Sequence, residues 1–147
     1  MTVRLTGPPD DPALPRVDAR LLRERSRRAL ASLGYERSEL SLTLTDDPGI
    51  AALNEAWRGQ RGPTDVLSFS LMEGDHAEYR GGLLGDVVIG LPQAARQARA
   101  AHRGLDRELA RLAIHGILHL LGHDHVREDE ARRMRAEERR LVREVGL

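Results

Sequence analysis

LDRELARLAIHGILHLLGHDH (residues 105–125) is the stretch that decides the fold. Apolar side chains recur on nearly every turn of Leu105–Leu121, which predicts a helix that is buried over most of its surface. Gly122 follows, and because glycine readily adopts the left-handed conformation that ends a helix, it predicts a reversal of the chain there. The segment therefore predicts a central buried helix with a cluster of histidines at its carboxyl end.

The rest of the chain predicts a sheet and further helices around this central helix. Alternating or continuous apolar runs predict strands at Thr2–Thr6, Glu39–Thr45, Thr64–Leu71 and Leu83–Ile89. Helical periodicity predicts helices at Asp18–Leu33, Asp47–Gly59, Pro92–His102 and Arg127–Val145. The second of these has Asp47 as N-cap and an apolar stripe of Ile50, Leu53 and Trp57. We therefore expect an α+β fold, with one small, mixed, mostly parallel four-stranded sheet and about five or six helices, in a single domain over residues 1–147.

Composition narrows the class of protein. The 147 residues include no Cys, which excludes disulfides and thiolate metal ligands. The N-terminal segment has no apolar core of a signal peptide, and no apolar run reaches the roughly 20 residues of a membrane helix. We therefore expect a cytoplasmic protein without membrane contact. The formal net charge is zero, so nucleic acid would have to be bound by a local basic patch, for which Arg16–Arg28 and the arginines of 96–111 are candidates.

The histidines of the central segment have the spacing of metal ligands. His115 and His119 are four residues apart and so lie on the same face of a helix. After the turn at Gly122, His125 can complete a set of three. Three imidazoles that leave the fourth tetrahedral position to water are typical of catalytic zinc, although nickel or copper would also be accepted. We therefore predict one Zn²⁺ per chain, bound by His115, His119 and His125, with His123 and Asp124 as neighbouring residues that either assist or are merely exposed.

Gly116 distinguishes this segment from zinc peptidases. The spacing of the three histidines matches the longer zinc-protease pattern, in which a Glu follows the first His and acts as general base. This chain has Gly116 at that position, and glycine cannot accept a proton. Peptide hydrolysis is therefore disfavoured. A metallopeptidase-like hydrolase and a non-catalytic protein with structural zinc are the alternatives to a metal-dependent hydrolase of another class.

Residues 115–125 match throughout the signature H-G-x-L-H-L-x-G-[YH]-D-H, and the chain thereby resembles the YbeY family of bacterial endoribonucleases. Two other family segments occur in the same order: Leu53-Asn54 with Trp57-Arg58 and Pro63–Phe69, and then Leu84–Ile89. The resemblance implies a zinc-dependent endoribonuclease that cleaves single-stranded RNA. It also implies action at the 3′ end of small-subunit rRNA and in ribosome quality control, with ribosomal components as partners. The non-catalytic alternative is then a ribosome assembly factor with structural zinc.

Arg58 is the fourth candidate catalytic residue, beside His115, His119 and His125. The resemblance implies that this arginine is functionally important. A guanidinium can stabilise the negative charge that collects on a phosphodiester during cleavage, whereas a purely structural Arg58 would only favour the end of its helix near Gly59. Asp65, Ser68 and Asp86 are weaker candidates. The sequence leaves open the general base, the nucleophile (water or the RNA 2′-OH) and the oligomeric state.

Overall fold

The structure is a computed structural model that describes residues 2–70, 82–123 and 126–147. Four strands and five helices lie within these residues. The strands are β1 (Thr2–Thr6), β2 (Glu39–Thr45), β3 (Val66–Ser70) and β4 (Leu83–Gly90). The helices are α1 (Ala19–Ser32), α2 (Asp47–Arg58), α3 (Leu91–Ala100), α4 (Leu105–Leu120) and α5 (Glu128–Glu144).

The strands form one mixed sheet in the order β1-β2-β4-β3. β1 pairs with β2 and β2 pairs with β4 in parallel, while β3 is antiparallel to β4. Antiparallel pairing sets Ser68 opposite Val87 and Phe69 opposite Asp86. The predicted α+β architecture, with a mostly parallel four-stranded sheet, is confirmed. Among the described residues, no helix is long and apolar enough to cross a membrane.

The two faces of the sheet are covered by different helices. On one face α4, with Leu109, Ile114, Ile117 and Leu118 fully or almost fully buried, packs with α1 and α5 in the main core. On the other face a smaller cluster joins Ile50 of α2 to the strands. β4 contributes to both clusters because alternate residues of a strand point to opposite faces. The strongly apolar α4 thus packs its carboxyl end against β4 and the edge strand β3.

Helix ends differ from the predicted ends by one or two residues. Asp18 caps α1 by accepting a hydrogen bond from the backbone N–H of Leu21 at 3.0 Å, as expected from its polar side chain just before the helix. For α2 the predicted cap is wrong by one position. Asp46 accepts from Gly49 N at 2.8 Å and is the cap, because an N-cap carboxylate bonds the N–H three residues later. Asp47 is the first residue of the helix.

Candidate active site

Two backbone hydrogen bonds characteristic of a helix end terminate α4 at its carboxyl end. Gly122, at φ 93°, donates to His119 O at 3.1 Å, and His123 donates to Leu118 O at 3.0 Å. This is the Schellman arrangement, which needs a residue in the left-handed conformation and is therefore favoured by glycine. The predicted stop at Gly122 is confirmed. His119 consequently lies in the last turn of the helix and His115 one turn before it.

His115 and His119 form a compact pair. Their Nε2 atoms are 3.1 Å apart, and the rings meet edge to face with centroids 4.7 Å apart. On its other side, Nδ1 of His115 lies 2.6 Å from Oε1 of Glu138, which reaches across from α5. When Nδ1–H donates to the carboxylate, the neutral His115 ring has its lone pair on Nε2, directed toward His119.

Glu138 is a site residue that the sequence interpretation missed. Burial raises the pKa of its carboxyl, but the hydrogen bond from His115 and the positive charges of His115, Arg111 and His119 outweigh burial and lower the pKa below its ordinary value. Glu138 is therefore a carboxylate. The apolar stripe of α5 contains Ala131, Met134, Leu141 and Val145. Glu138 falls on that stripe at heptad spacing, and a carboxylate at an inward position was the signal that could have revealed it.

Gly116 lies where α4 approaches the sheet most closely. A Cβ at this position would be 2.6 Å from Cγ1 and 3.0 Å from Cγ2 of Val87, and 3.2 Å from Oγ of Ser68. The hydroxyl of Ser68 donates to Gly116 O at 3.1 Å, and that of Ser70 donates to Leu120 O at 2.9 Å. Gly116 thus brings the histidine turn onto β3. Position 116, at which zinc peptidases have their catalytic glutamate, therefore has no room for a side chain in this protein.

A cavity of about 520 Å³, which we call the histidine cavity, opens beside the histidine pair. It is lined by His115 and His119, by the end of α2 at Arg58, and by the segment Thr64–Ser68 with Ser70. Arg58 is exposed. The structure therefore gathers three of the four predicted catalytic residues, one arginine and two histidines, around one space.

The turn after α2 positions Arg58. Gly59 caps the helix in the left-handed conformation, at φ 65° and ψ 18°. The buried side chain of Asn54 donates to Gly62 O at 3.0 Å, and Gln60 N donates to Asn54 O at 3.3 Å. These bonds fold the polar turn back against the helix end, so that the chain enters β3 directly below Arg58.

Comparisons with known proteins identify the family of this chain. The family model described as Endoribonuclease YbeY matches residues 16–146. The chain belongs to the endoribonuclease YbeY family. Curated members of this family are 48% identical over all 147 residues in Anaeromyxobacter sp. strain Fw109-5, covering 73% of that protein, and 45% identical over 132 residues in Pelotomaculum thermopropionicum, covering 86% of each chain. The solution structure of TM1509 from Thermotoga maritima is similar, with a TM-score of 0.65 and 28% identity over 97% of this chain and 88% of that one.

The prediction that Trp57 belongs to the buried apolar stripe of α2 is wrong for this YbeY-family chain. The expected apolar stripe of α2 holds for Ile50, which is fully buried, but Trp57 is 71% exposed. The last turn of α2, residues 55–58, is exposed on all sides, so the helix end extends past the surface that α2 covers. The indole packs edge to face with Phe69, with ring centroids 5.9 Å apart. The exposed indole precedes Arg58 on the last turn of α2, which we call the rim of the histidine cavity, although Trp57 itself does not line the cavity.

The remaining candidates divide between the cavity and other places. Asp65 lines the cavity, but its carboxylate accepts from Val66 N at 2.7 Å and from Gln97 Nε2 at 3.2 Å, which anchors the start of β3 to α3. Asp86 lies on the opposite face of β4 from Val87 and so away from the histidines. His123 lines a separate cavity of about 240 Å³ with Glu130 and Arg133. His125 and Asp124 lie outside the described residues.

The histidine pair has the chemistry and spacing of two metal ligands. Two nitrogens bound at roughly 2.0–2.1 Å to one tetrahedral ion lie about 3.4 Å apart, close to the 3.1 Å between the two Nε2 atoms. The carboxylate behind His115 is the partner that ligating histidines usually have. Within the described ranges, no cluster of three His, Cys, Asp or Glu side chains could hold a metal. The predicted third ligand, His125, is not among those residues.

Proposed function

We propose that this protein is a zinc-dependent endoribonuclease that cleaves single-stranded RNA. In this proposal it acts in the cytoplasm on the 3′ end of small-subunit rRNA and in ribosome quality control, with ribosomal components as partners. The observation that carries the proposal is the histidine cavity, which Arg58, His115 and His119 line together. Membership of the endoribonuclease YbeY family supports RNA as the substrate.

Arg58 suits a phosphodiester. Its guanidinium is exposed at the cavity and presents a rigid fork of N–H donors, which pairs well with two phosphate oxygens. Cleavage concentrates negative charge on those oxygens, so a donor already in place lowers the barrier more than it tightens ground-state binding. Arg58 therefore acts as the phosphate-binding and charge-stabilising residue.

His115 and His119 are proposed to hold the zinc ion together with His125. Glu138 supports this role because it accepts the Nδ1–H of His115 and so keeps the Nε2 lone pair directed into the site. A zinc ion held there would supply Lewis-acid chemistry and lower the pKa of a water toward about 7. Asp65 is engaged by Val66 and Gln97, and Ser68 donates to Gly116, so both shape the cavity.

The rim of the cavity favours a single strand over a duplex. Trp57 offers an exposed aromatic face next to Arg58. Unpaired bases can splay out and stack on such a ring, whereas bases inside an A-form duplex are held in their own stack. An indole and a guanidinium on adjacent residues can thus contact a base and its neighbouring phosphate. This pairing of contacts supports single-strand specificity.

The test combines metal analysis with cleavage of labelled RNA. Wild type, His119→Ala and Arg58→Ala are each assayed for bound zinc and for cleavage of a single-stranded RNA and of the same RNA annealed to its complement. We expect about one zinc per wild-type chain and cleavage of the single strand only. His119→Ala should lose zinc and cleavage, while Arg58→Ala should keep zinc and lose cleavage by at least about a hundredfold, the typical contribution of a transition-state donor.

Two results would overturn the proposal. The first is a zinc-free His119→Ala protein that still cleaves RNA at the wild-type rate, and the second is a zinc-loaded wild type that leaves RNA intact. The ends of the products decide the nucleophile, since a 2′,3′-cyclic phosphate results from attack by the 2′-OH and excludes simple attack by water. Accumulation of small-subunit rRNA with an unprocessed 3′ end, in cells that carry only His119→Ala, would support the assignment to rRNA.

A further inference from the structure

A second and larger cavity adjoins the histidine cavity. It has a volume of about 800 Å³ and lies between α4 and α5. His115 and Asp65 line both cavities, so the two adjoin at this imidazole. A chain-like ligand bound in the histidine cavity can therefore continue past His115 into this second space, which we call the α5 cavity.

Four arginines line the α5 cavity: Arg111, Arg135, Arg139 and Arg143. We call them the arginine face. The three on α5 are spaced four residues apart, so they lie on one side of the helix. From the first to the third they extend about 12 Å along the helix axis. This exceeds the size of one phosphate group and suits a ligand with a row of negative charges.

The carboxylates of the same cavity already have partners. Glu138 bonds His115 at 2.6 Å, and Asp65 accepts from Val66 and Gln97. Glu108 is nearly buried, with Arg103 Nη1 3.4 Å from its Oε2. By contrast, none of the four arginines of the face makes an ion pair within 4.0 Å among the described residues. The lining thus has four arginines against three carboxylates, and no close ion pair among the described residues neutralises those arginines.

Other arginines on the same helix and its neighbours are compensated. Arg133 pairs with Asp129 at 3.7 Å, and Arg140 donates to Glu137 at 2.6 Å and to Ser32 at 2.7 Å. On α3, Arg96 makes two bonds to Asp47, at 3.1 and 3.2 Å. Among the described residues these arginines have polar partners, whereas those that line the α5 cavity have no ion pair within 4.0 Å. The arginine face is distinguished by the cavity that it lines beside His115.

We propose that the arginine face binds backbone phosphates of the RNA strand on one side of the cleavage point. The inference rests on the proposed function, because it takes the strand in the histidine cavity to be RNA. Contacts of guanidinium groups with phosphate oxygens hold the strand without reading its sequence. The arginine face extends the bound length beyond the nucleotides at Arg58 and His115, and it gives a protein of zero net charge a local basic track.

The experiment compares short and long single-stranded RNA. Fluorescence anisotropy measures binding of tetrauridylate and dodecauridylate to the full chain as purified, with the RNA checked intact on a gel. The test variant carries Arg135→Gln, Arg139→Gln and Arg143→Gln. We expect its affinity for the dodecamer to fall by about tenfold or more and its slope of log K against log salt to decrease by roughly 2, or about 0.7 for each lost phosphate contact. Affinity for the tetramer should change little.

The matched control removes three exposed arginines outside every candidate RNA-binding patch. Arg4→Gln, Arg37→Gln and Arg132→Gln alter the net charge equally, and these residues line neither cavity. Thermal unfolding confirms that both variants fold. The inference is overturned when the test variant binds the dodecamer as wild type does, which would leave an acidic protein segment as the occupant to consider. It is also overturned when the control loses as much affinity as the test variant, because bulk charge then explains the effect.

Cleavage by the wild type separates this inference from the proposed function. If the wild type cleaves the dodecamer and the test variant binds it normally, the proposed function stands and the arginine face has no role in RNA binding. Conversely, a wild type that binds but never cleaves, with affinity lost only in the test variant, would overturn the proposed function and keep the arginine face as an RNA-binding surface.

Discussion

The floor and the rim of the histidine cavity are built in different ways. At the floor, His115 and His119 stand on a helix that is pressed onto the sheet at Gly116, and a carboxylate behind His115 orients its ring. At the rim, Trp57 and Arg58 project from the exposed last turn of α2. Packing determines the geometry of the floor, whereas the rim depends on one turn of helix and its cap. Changes at the floor should therefore cost stability or metal affinity, and changes at the rim should cost RNA binding.

The largest effect is expected for Gly116→Glu, which restores the peptidase residue. Its Cβ would meet Val87 Cγ1 at 2.6 Å, and Val87 is fully buried and β-branched, so it cannot move away cheaply. Overpacking together with a carboxylate forced against the sheet should lower the free energy of unfolding by at least about 3 kcal/mol. Urea denaturation measures the loss, with Gly104→Ala as control, since nothing lies within 4 Å of a Cβ there. The control should cost less than about 1 kcal/mol.

A double variant tests the same close contact between Gly116 and Val87. In Gly116→Ala the clash remains, but the added Val87→Ala change removes both of the methyl groups that cause it. We expect the pair to be more stable than the sum of the single effects predicts, by about 1 kcal/mol or more, because residues in contact do not behave additively. Strict additivity would mean that the helix moves off the sheet without strain, and the floor would then be no more rigid than the rim.

Glu138→Gln should weaken metal binding without unfolding the protein. The amide is nearly the same size, but it is a weaker acceptor for the Nδ1–H of His115 and leaves that imidazole less basic. Loss of such a partner typically costs about 10- to 100-fold in metal affinity. Competition with a chelator measures zinc affinity, and Glu144→Gln on the exposed side of α5 is the control. An unchanged zinc affinity in Glu138→Gln would remove the carboxylate from the metal site.

The sequence predicts the structure to different extents at the floor and at the rim of the histidine cavity. The strands, the buried α4 and the stop at Gly122 follow from local periodicity and glycine chemistry, and the His115–His119 pair follows from a four-residue spacing. The Glu138–His115 bond joins two helices across 23 residues, so no local pattern reports it. Trp57 has the correct helical spacing for burial, but the end of α2 extends past its partner surface. The spacing of residues predicts which face they share and cannot predict where that face stops being covered.

At the rim, Trp57→Ala should reduce affinity for single-stranded RNA and leave stability almost unchanged. The indole is largely exposed and packs edge to face with Phe69, so its removal exposes little of the core. Stacking of one base on an aromatic ring is worth about 1–3 kcal/mol, or roughly 5- to 150-fold in affinity. Anisotropy with a short RNA measures the loss, and Trp57→Tyr should recover most of it. If Trp57→Ala instead unfolds the protein at lower urea with normal RNA affinity, the indole belongs to the core rather than to the rim.

The smallest effect is expected for Ser68→Ala, which tests whether the floor contributes chemistry beyond its histidines. The hydroxyl lines the cavity, yet it donates to Gly116 O at 3.1 Å and so tethers β3 to α4. Loss of this hydrogen bond should cost about 0.5–1 kcal/mol of stability, because the small cavity wall stays solvated and no charged group is stranded. The rate of RNA cleavage should stay within about twofold of wild type. A loss of cleavage of a hundredfold or more at normal zinc content would show instead that Ser68 touches the reacting phosphate. If Ser68 only tethered β3 to α4, a loss of that size would be accompanied by a lower free energy of unfolding.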